Sequence, residues 1–382
     1  MDRERIKTLL KAQRIETPAW GYMDSGTRFH VFAQETAART IYEKLEDAAQ
    51  VHRFTGICPS VAILVPWDKV DDWPTLLDYA RGLGLELGSV NAALFFDEEY
   101  RLGSLCSPFA ASRRKALDHV LECVDVARQI GCRILSFWLP DGTNYPGQDS
   151  FRGRKRRLEE ALHAVCGRLA EDMRILIEYK FFEPAFYQTD IPDWGMAYLL
   201  STKLGPKAQV LVDLGHHPLG TNIEQLVAVL LDEKKLGGFH FNAKKYADDD
   251  LTVGSINPYE LFLIFVELID ALRDGETRKT AEEVAYMIDQ SHNIKNKVEA
   301  MIQSVVTVQQ IYAKALHVDW DALDSARREG RIIDAEERLK DAFFTDIGGL
   351  LSEVRSEMGV AEHPLRAFRE SGYLEKMRKS RA

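Results

Sequence analysis

The chain has 382 residues, of which 46% are hydrophobic and 28% charged, as is typical of a folded soluble protein. Its formal net charge of −10 argues against a general nucleic-acid coat, because such a protein needs a basic face. Five cysteines without a CxxC pair and a charged N-terminal segment without an apolar core predict a cytoplasmic protein with reduced thiols and no membrane contact.

Short β-rich segments alternate with longer amphipathic segments along the chain. Most of the short segments are rich in Val, Ile, Leu and aromatic residues, which is typical of buried parallel strands. The predicted strands are Trp20–Met23, Ser60–Pro66, Glu86–Asn91, Ile134–Trp138, Arg174–Lys180, Gln209–Asp213, Gly237–Phe241 and Glu282–Ile288. The first segment is the least regular, because it contains a glycine and follows Pro18.

Helical patterns lie between the predicted strands, with apolar residues three or four positions apart. Examples are Ala116–Ile130, Lys155–Ala170, Ile223–Leu231 and Tyr259–Leu272. A β/α alternation that repeats eight times predicts an α/β protein with a closed (β/α)8 TIM barrel. The chain contains neither a GxGxxG fingerprint nor a GxxxxGK[ST] phosphate loop, which argues against NAD or ATP chemistry.

The pattern changes after about residue 315, where charged helical segments follow without strands between them. We therefore predict a catalytic barrel over residues 1–315 and a C-terminal helical arm over residues 316–382. Such an arm either wraps a neighbouring subunit or packs on its own barrel.

Ionisable side chains stand at the ends of the last four predicted strands. Because catalytic groups in β/α barrels lie at the C-terminal ends of the strands, we expect these side chains to share one site. Each has an ordinary alternative, such as an ion pair, a core histidine, a solvated acidic turn or a helix cap. Their occurrence at four successive strand ends favours a metal site. The residues are Glu178, Lys180, Asp213, His216, His240, Asp248, Asp250 and Asp289.

The number of potential ligands predicts two divalent ions. Oxygen-rich donors with a few imidazoles favour Mn²⁺, with Co²⁺, Mg²⁺ or Zn²⁺ as alternatives. Paired cations suit either hydrolysis or hydrogen transfer between adjacent carbons of a hydroxy-carbonyl compound. Lys180 favours the second reaction, because a fixed ammonium can stabilise a developing alkoxide. The first ion is assigned to Glu178, Asp213, His240 and Asp289, and the second to His216, Asp248 and Asp250 with Asp213 shared.

The linked motifs resemble the barrel-type L-rhamnose isomerases, which are related to xylose isomerase. ExK ends the fifth strand, DxxH the sixth, HxN and DxD follow the seventh, and Asp follows the eighth. The segments SGTRF, VPWDKVDDW, DGTNYPGQ, VDLGHH and YMIDQSHN are also similar to that family. The resemblance spans nearly the whole chain.

The resemblance implies a homotetramer built with C-terminal helices and Mn²⁺-dependent aldose–ketose interconversion. It places Lys180 at the carbonyl end of the substrate and Trp138 as an aromatic wall against the sugar carbons. The family pattern GSLTHP reads GSLCSP here, so Ser107 replaces a histidine that we associate with substrate handling. Phe29, in the loop SGTRFHVF, is a candidate for closing the pocket.

We expect conversion of L-rhamnose to L-rhamnulose by a two-metal-assisted hydride shift, with Lys180, Asp250 and His216 as catalytic residues. One alternative is a related aldose isomerase or epimerase with a different sugar preference. A second is a metal-dependent phosphodiesterase of the endonuclease-type barrel. A third is a barrel-shaped binding or structural protein without catalysis.

Overall fold

A closed barrel of parallel strands forms the centre of the protein in a computed structural model that describes residues 2–25, 30–182, 188–246, 248 and 250–381. Each strand pairs with its neighbours in chain order, and the last strand pairs with the first. The predicted (β/α)8 barrel is therefore confirmed. The strands are β1 (Ile15–Pro18), β2 (Ser60–Val65), β3 (Glu86–Ala92), β4 (Ile134–Trp138), β5 (Arg174–Glu178), β6 (Ala208–Asp213), β7 (Leu236–Phe241) and β8 (Ala285–Ile288).

Helices surround the barrel and connect its strands. They are α1 (Arg3–Ala12), α2 (Ile41–Thr55), α3 (Trp73–Gly82), α4 (Ala110–Ile130), α5 (Phe151–Arg168), α6 (Trp194–Leu204), α7 (Ile223–Asp232), α8 (Pro258–Arg273), α9 (Arg278–Glu283) and α10 (Lys297–Ala315). Apolar residues at helical spacing are buried in the core, as Leu261, Phe265 and Leu268 of α8 are. Among the described residues, no helix combines the length and the apolar character needed to cross a membrane.

The second to seventh predicted strands match the observed ones to within two residues at each end, whereas the first and the eighth differ more. The prediction of a first strand at Trp20–Met23 is wrong, because β1 lies earlier and Ala19–Tyr22 forms a 3-10 helix. The eighth strand is shorter than the predicted Glu282–Ile288, because residues up to Glu283 belong to α9.

Glu16 explains why the pattern of β1 was missed. This charged residue lies in the middle of a four-residue strand and is buried inside the protein. Its Oε2 accepts hydrogen bonds from the Ser60 hydroxyl at 2.8 Å and from the Ser89 N–H at 2.9 Å. A Cβ at Gly88 would overlap the same carboxylate, so a glycine is needed beside it. These partners, which come from β2 and β3, replace the water that a buried carboxylate loses.

Five helices follow the barrel in the described part of the C-terminal region. They are α11 (Trp320–Arg328), α12 (Ile332–Phe344), α13 (Gly348–Glu357), α14 (Pro364–Glu370) and α15 (Tyr373–Ser380). Lys7 of α1 pairs with Glu353 and Glu357 of α13, at 2.7 Å and 2.5 Å. The Phe368 ring of α14 packs edge-on against Phe54 of α2. These helices therefore contact the barrel of their own chain, and the proposed division after residue 315 stays a prediction.

Candidate metal centre

Four potential metal ligands meet at the C-terminal end of the barrel. Glu178 ends β5, Asp213 ends β6, His240 lies in β7 and Asp289 follows β8. One ligand atom from each of the four lies within 4.8 Å of the others. The structure thus brings together the four residues that the sequence assigns to the first ion.

His240 lies at the centre of this first ligand set. Its Nδ1 atom is 3.2 Å from Oε1 of Glu178 and 3.8 Å from Oδ2 of Asp213. The same nitrogen is 3.7 Å from Oδ2 of Asp289. Three carboxylates therefore converge on one imidazole. Of the four residues, only Asp289 is not fully buried.

A second ligand set shares one member with the first. Asp213, His216 and Asp248 offer ligand atoms that lie within 4.8 Å of one another. Nε2 of His216 is 3.4 Å from Oδ1 of Asp248 and 3.9 Å from Oδ2 of Asp213. Because Oδ2 of Asp213 faces both His216 and His240, this oxygen is the atom that the two sets have in common.

The crowded charges shift pKa values in both directions. Burial raises the pKa of Asp213 to about 7, with Glu178 and Asp248 adding to the effect and His216 opposing it. Burial also acts to raise the pKa of Glu178, but the imidazoles of His240 and His216 outweigh it and lower that pKa to about 2. Burial disfavours the charged form of His240, yet the carboxylates around it raise its pKa to about 9.

Asp250 lies near the two sets without belonging to either close group. Burial raises its pKa well above the ordinary value, and the charges of Asp248, Asp289 and Asp213 act in the same direction. Its backbone φ of 45° is in the left-handed region, which aspartate adopts more readily than most residues. The charges of both sets therefore act on the Asp250 carboxylate. Its role as a ligand stays a prediction.

Lys180 places an ammonium beside the second set. Its Nζ lies 2.6 Å from Oδ2 of Asp248 and 5.2 Å from the centre of the Trp138 ring. Only 8% of the lysine side chain is exposed, so water screens this contact little. Trp138 ends β4 and Lys180 follows β5, which pairs with it. The two predicted substrate neighbours are therefore close together.

Comparison with known proteins identifies the family. Residues 47–294 match the family described as Xylose isomerase-like TIM barrel. The chain belongs to this family. The matched region is more than half of the chain and contains the ends of β5 to β8, so both ligand sets lie within it.

Two bacterial relatives match over almost the whole chain. A probable sugar isomerase of Rhizobium meliloti (strain 1021) is 43% identical over 379 residues, which cover 98% of this chain and 87% of the relative. A probable sugar isomerase of Mesorhizobium japonicum is 40% identical over 380 residues, with the same two shares of 98% and 87%.

Solved structures are similar to the chain at much lower identity. D-allulose 3-epimerase from Methylomonas sp., in complex with D-allulose, gives a TM-score of 0.55 at 14% identity and covers 78% of this chain and 97% of its own. A structure of L-ribulose 3-epimerase gives 0.53 at 13% identity, with shares of 84% and 98%. At such identities the likeness concerns the fold.

Three groups outside the predicted ligand sets donate hydrogen bonds to the ligands of this xylose isomerase-like barrel. Nδ2 of Asn242 donates to both oxygens of Asp213, at 2.9 Å and 3.1 Å, and the N–H of Gly215 donates to Oδ1 at 2.7 Å. The indole N–H of Trp20 donates to Asp289. The HxN spacing pointed to Asn242, whereas nothing in the sequence pointed to Trp20 as a partner of Asp289.

No contact among the described residues brings Ser107, a predicted substrate residue, to the ligand sets. Ser107 is fully buried, and its hydroxyl accepts a hydrogen bond from the N–H of Phe109 at 3.2 Å, just before α4 begins. This contact gives Ser107 a local role, and its contact with a substrate stays a prediction. Phe29 lies outside the described residues.

A third acidic cluster in the family fold is explained without a metal ion. Cys106, Asp141 and Asp190 also offer atoms within 4.8 Å of one another. Arg154 donates to both oxygens of Asp190, at 2.7 to 3.1 Å. The backbone N–H groups of Ser104 and Cys106 donate to Asp141 at 2.7 Å and 2.8 Å. Because the protein itself supplies these partners, we assign the cluster a structural role.

The two sets that share Asp213 differ from the third cluster in containing histidines. Buried acids together with imidazoles can form a metal site. Carboxylates at such short separations repel one another, and a divalent cation would relieve the repulsion. Carboxylate oxygens combined with imidazole nitrogens are donors that suit Mn²⁺ and similar ions. The residues present therefore fit the cations that the sequence predicted.

Proposed function

We propose that this protein is an aldose–ketose isomerase that converts L-rhamnose to L-rhamnulose. The observation that carries the proposal is the pair of ligand sets that share Asp213, with Lys180 beside the second set. An isomerase or epimerase acting on a sugar is supported by the family and by the names of the two relatives. The choice of L-rhamnose rests on the motif resemblance, including VDLGHH and YMIDQSHN.

In this proposal each ligand set holds one divalent cation, Mn²⁺ before Co²⁺, Mg²⁺ or Zn²⁺. Such cations would supply Lewis-acid polarisation of adjacent sugar oxygens. Asp250 completes the second set from the loop that follows β7. The first set is Glu178, Asp213, His240 and Asp289, and the second is His216, Asp248 and Asp250 with Asp213 shared.

Lys180 orients the carbonyl end of the open-chain sugar. Its ammonium donates to O1 and stabilises the negative charge that develops there during the reaction. The contact of Nζ with Asp248 at 2.6 Å holds the ammonium in place before the sugar arrives. Trp138, whose ring lies under the same ammonium, offers an apolar surface for the C–H bonds of the sugar.

The reaction moves hydrogen within the substrate and consumes no oxidant. The hydrogen on C2 moves with its electron pair to C1. The proton of the O2 hydroxyl passes to a water held by Asp250, which returns a proton to O1 beside Lys180. The carbonyl thereby moves from C1 to C2, and the hydroxyl moves from C2 to C1. Running the reaction in D₂O tests this route, because a shift keeps the original hydrogen, whereas an enediol route brings deuterium to C1.

The second candidate is a related aldose isomerase or epimerase with a different sugar preference. It is favoured by Ser107, which stands where the resembling pattern has a histidine. Ser107 is buried and its hydroxyl accepts a hydrogen bond from the N–H of Phe109, so other groups would recognise the sugar.

The deciding experiment is an activity panel on metal-stripped protein reloaded with Mn²⁺. We expect the highest kcat/KM for L-rhamnose, a lower value for L-mannose, which adds a hydroxyl at C6, and no turnover with chelator. Epimerisation of ketoses without aldose formation would support the second candidate. Cleavage of DNA with Mn²⁺ or Zn²⁺ would replace both with the phosphodiesterase alternative.

We also propose a homotetramer, as the motif resemblance implies, and a cytoplasmic location, as the N-terminal segment and the cysteines predict. Light scattering coupled to gel filtration tests the assembly, since four chains of 43.4 kDa are expected in one particle. A monomeric particle would overturn the proposed assembly.

A further inference from the structure

Tyr179 lies between two residues of the candidate site and points away from it. Glu178 precedes it and Lys180 follows it, and successive side chains of an extended segment point to opposite sides. The Tyr179 side chain is 1% exposed and belongs to the hydrophobic core. Its phenol oxygen lies 2.6 Å from Nε2 of His217, and the two rings meet edge-on at 5.3 Å.

The backbone of Tyr179 contacts the neighbouring histidine. Its carbonyl oxygen lies 3.0 Å from Nδ1 of His216, and Oε1 of Glu178 lies 3.2 Å from the same nitrogen. Nδ1 of His216 is therefore turned toward the end of β5, and Nε2 is the nitrogen that faces Asp248 and Asp213. A histidine that ligates a metal through one nitrogen is commonly oriented through the other.

The loop that carries both histidines is held at further points. The ammonium of Lys244 contacts the carbonyl of His217. A Cβ at Gly215 would come within 3.0 Å of Asp248 and 3.1 Å of Asp213, so the loop lies directly against those carboxylates. His217 itself is 3% exposed. With so little free space, a change at His217 moves the adjacent His216.

We infer that Tyr179 and His217 are positioning residues that aim Nε2 of His216 at the second cation. The phenol–imidazole contact secures the loop after β6, and the carbonyl of the same tyrosine, together with Oε1 of Glu178, sets the rotation of the His216 ring. Neither side chain touches the substrate. The inference rests on the two-cation part of the proposed function and not on the identity of the sugar.

The test is a titration of metal-stripped protein with Mn²⁺, in which electron paramagnetic resonance measures the free ion. Tyr179→Phe removes only the phenol oxygen, and we expect the second Mn²⁺ to bind about 10- to 100-fold more weakly while the first keeps its affinity. His217→Leu should act like Tyr179→Phe. His217→Gln, which retains a hydrogen-bonding group, should recover part of the loss. Tyr198→Phe, which removes an exposed phenol bonded to Glu233, is the matched control and should bind both ions normally.

Site-selective loss separates positioning from general destabilisation, which would weaken both ions together. Tyr179→Phe with two unchanged affinities, or with equal losses at both sites, overturns the inference. If Tyr179→Phe does not fold, the comparison of His217→Gln with His217→Leu decides, and equal second-site affinities in that pair overturn it. Wild-type protein that binds two Mn²⁺ but isomerises no sugar would sink the proposed function and leave the positioning role standing.

Discussion

The indole N–H of Trp20 donates to Oδ1 of Asp289 at 2.8 Å, across 269 positions of the chain. Trp20 lies in the 3-10 helix after β1, and Asp289 follows β8, so closure of the barrel brings them together. With Oδ1 engaged, Oδ2 is the oxygen that lies 3.7 Å from His240 in the first ligand set. The bond therefore sets the rotation of a proposed metal ligand.

Trp20→Phe removes this donor and keeps an aromatic ring in its place. We expect Mn²⁺ affinity at the first set to fall about 10- to 100-fold, because the carboxylate of Asp289 becomes free to rotate. Calorimetric titration of metal-stripped protein measures the change. Trp320→Phe is the matched control, since that buried indole lies in α11 away from both ligand sets. An equal effect of both substitutions would argue for a loss of packing.

Lys180→Met removes the ammonium and keeps the length of the side chain. We expect kcat to fall about 10²- to 10³-fold, because the positive charge at the developing alkoxide is lost. Both cations should remain, since Lys180 belongs to neither ligand set. Metal analysis and steady-state kinetics provide the two readouts, with Lys203→Met, an exposed lysine, as control. Loss of metal in Lys180→Met would instead make Lys180 a counter-ion of Asp248.

His216→Ala and Asp213→Asn distinguish the two ligand sets. His216→Ala removes a ligand from the second set alone, so the protein should retain one tightly bound Mn²⁺ instead of two. Asp213→Asn removes the charge that the sets share, so both affinities should fall. Metal analysis after gel filtration counts the ions. If the protein is a barrel without metal-dependent activity, Asp213→Asn should change its stability and no other measured property.

Acid should destabilise the protein partly through His292. Burial lowers the pKa of this imidazole to about 4, and Lys295 and Lys297 act in the same direction. The unfolded chain takes up a proton at about 6.5, so below that pH it binds a proton that the folded state does not. The free energy of unfolding therefore falls as pH drops from about 6.5 toward 4, by about 3 kcal/mol in all.

The substitution His292→Gln tests this pH dependence. The free energy of unfolding is measured with urea at about pH 7 and about pH 5. Between these pH values it should fall further in the wild type than in the variant, by about 2 kcal/mol. His163→Gln, at an exposed position of α5, should retain the wild-type slope. A variant with the same slope as the wild type would show that other groups carry the acid sensitivity.

Much of the barrel could be predicted, because parallel strands buried on both sides are short apolar runs. Ile134–Trp138 agrees with the prediction at both ends, and Ala208–Asp213 differs from it by one residue. β1 could not be recognised, because Glu16 interrupts its apolar character and its partners lie on β2 and β3. A strand whose charged residue is satisfied by distant groups has no local signature.

The types and the order of the potential ligands are properties of the sequence, since an acid or a histidine that follows a buried strand must lie at one end of a parallel barrel. Closure of the barrel decided the rest. It turned Trp20 toward Asp289 and placed Tyr179 against His217. Such pairings depend on side-chain direction and on register between strands far apart in the chain. Local patterns of apolar and charged residues contain neither quantity, so only the folded chain could determine them.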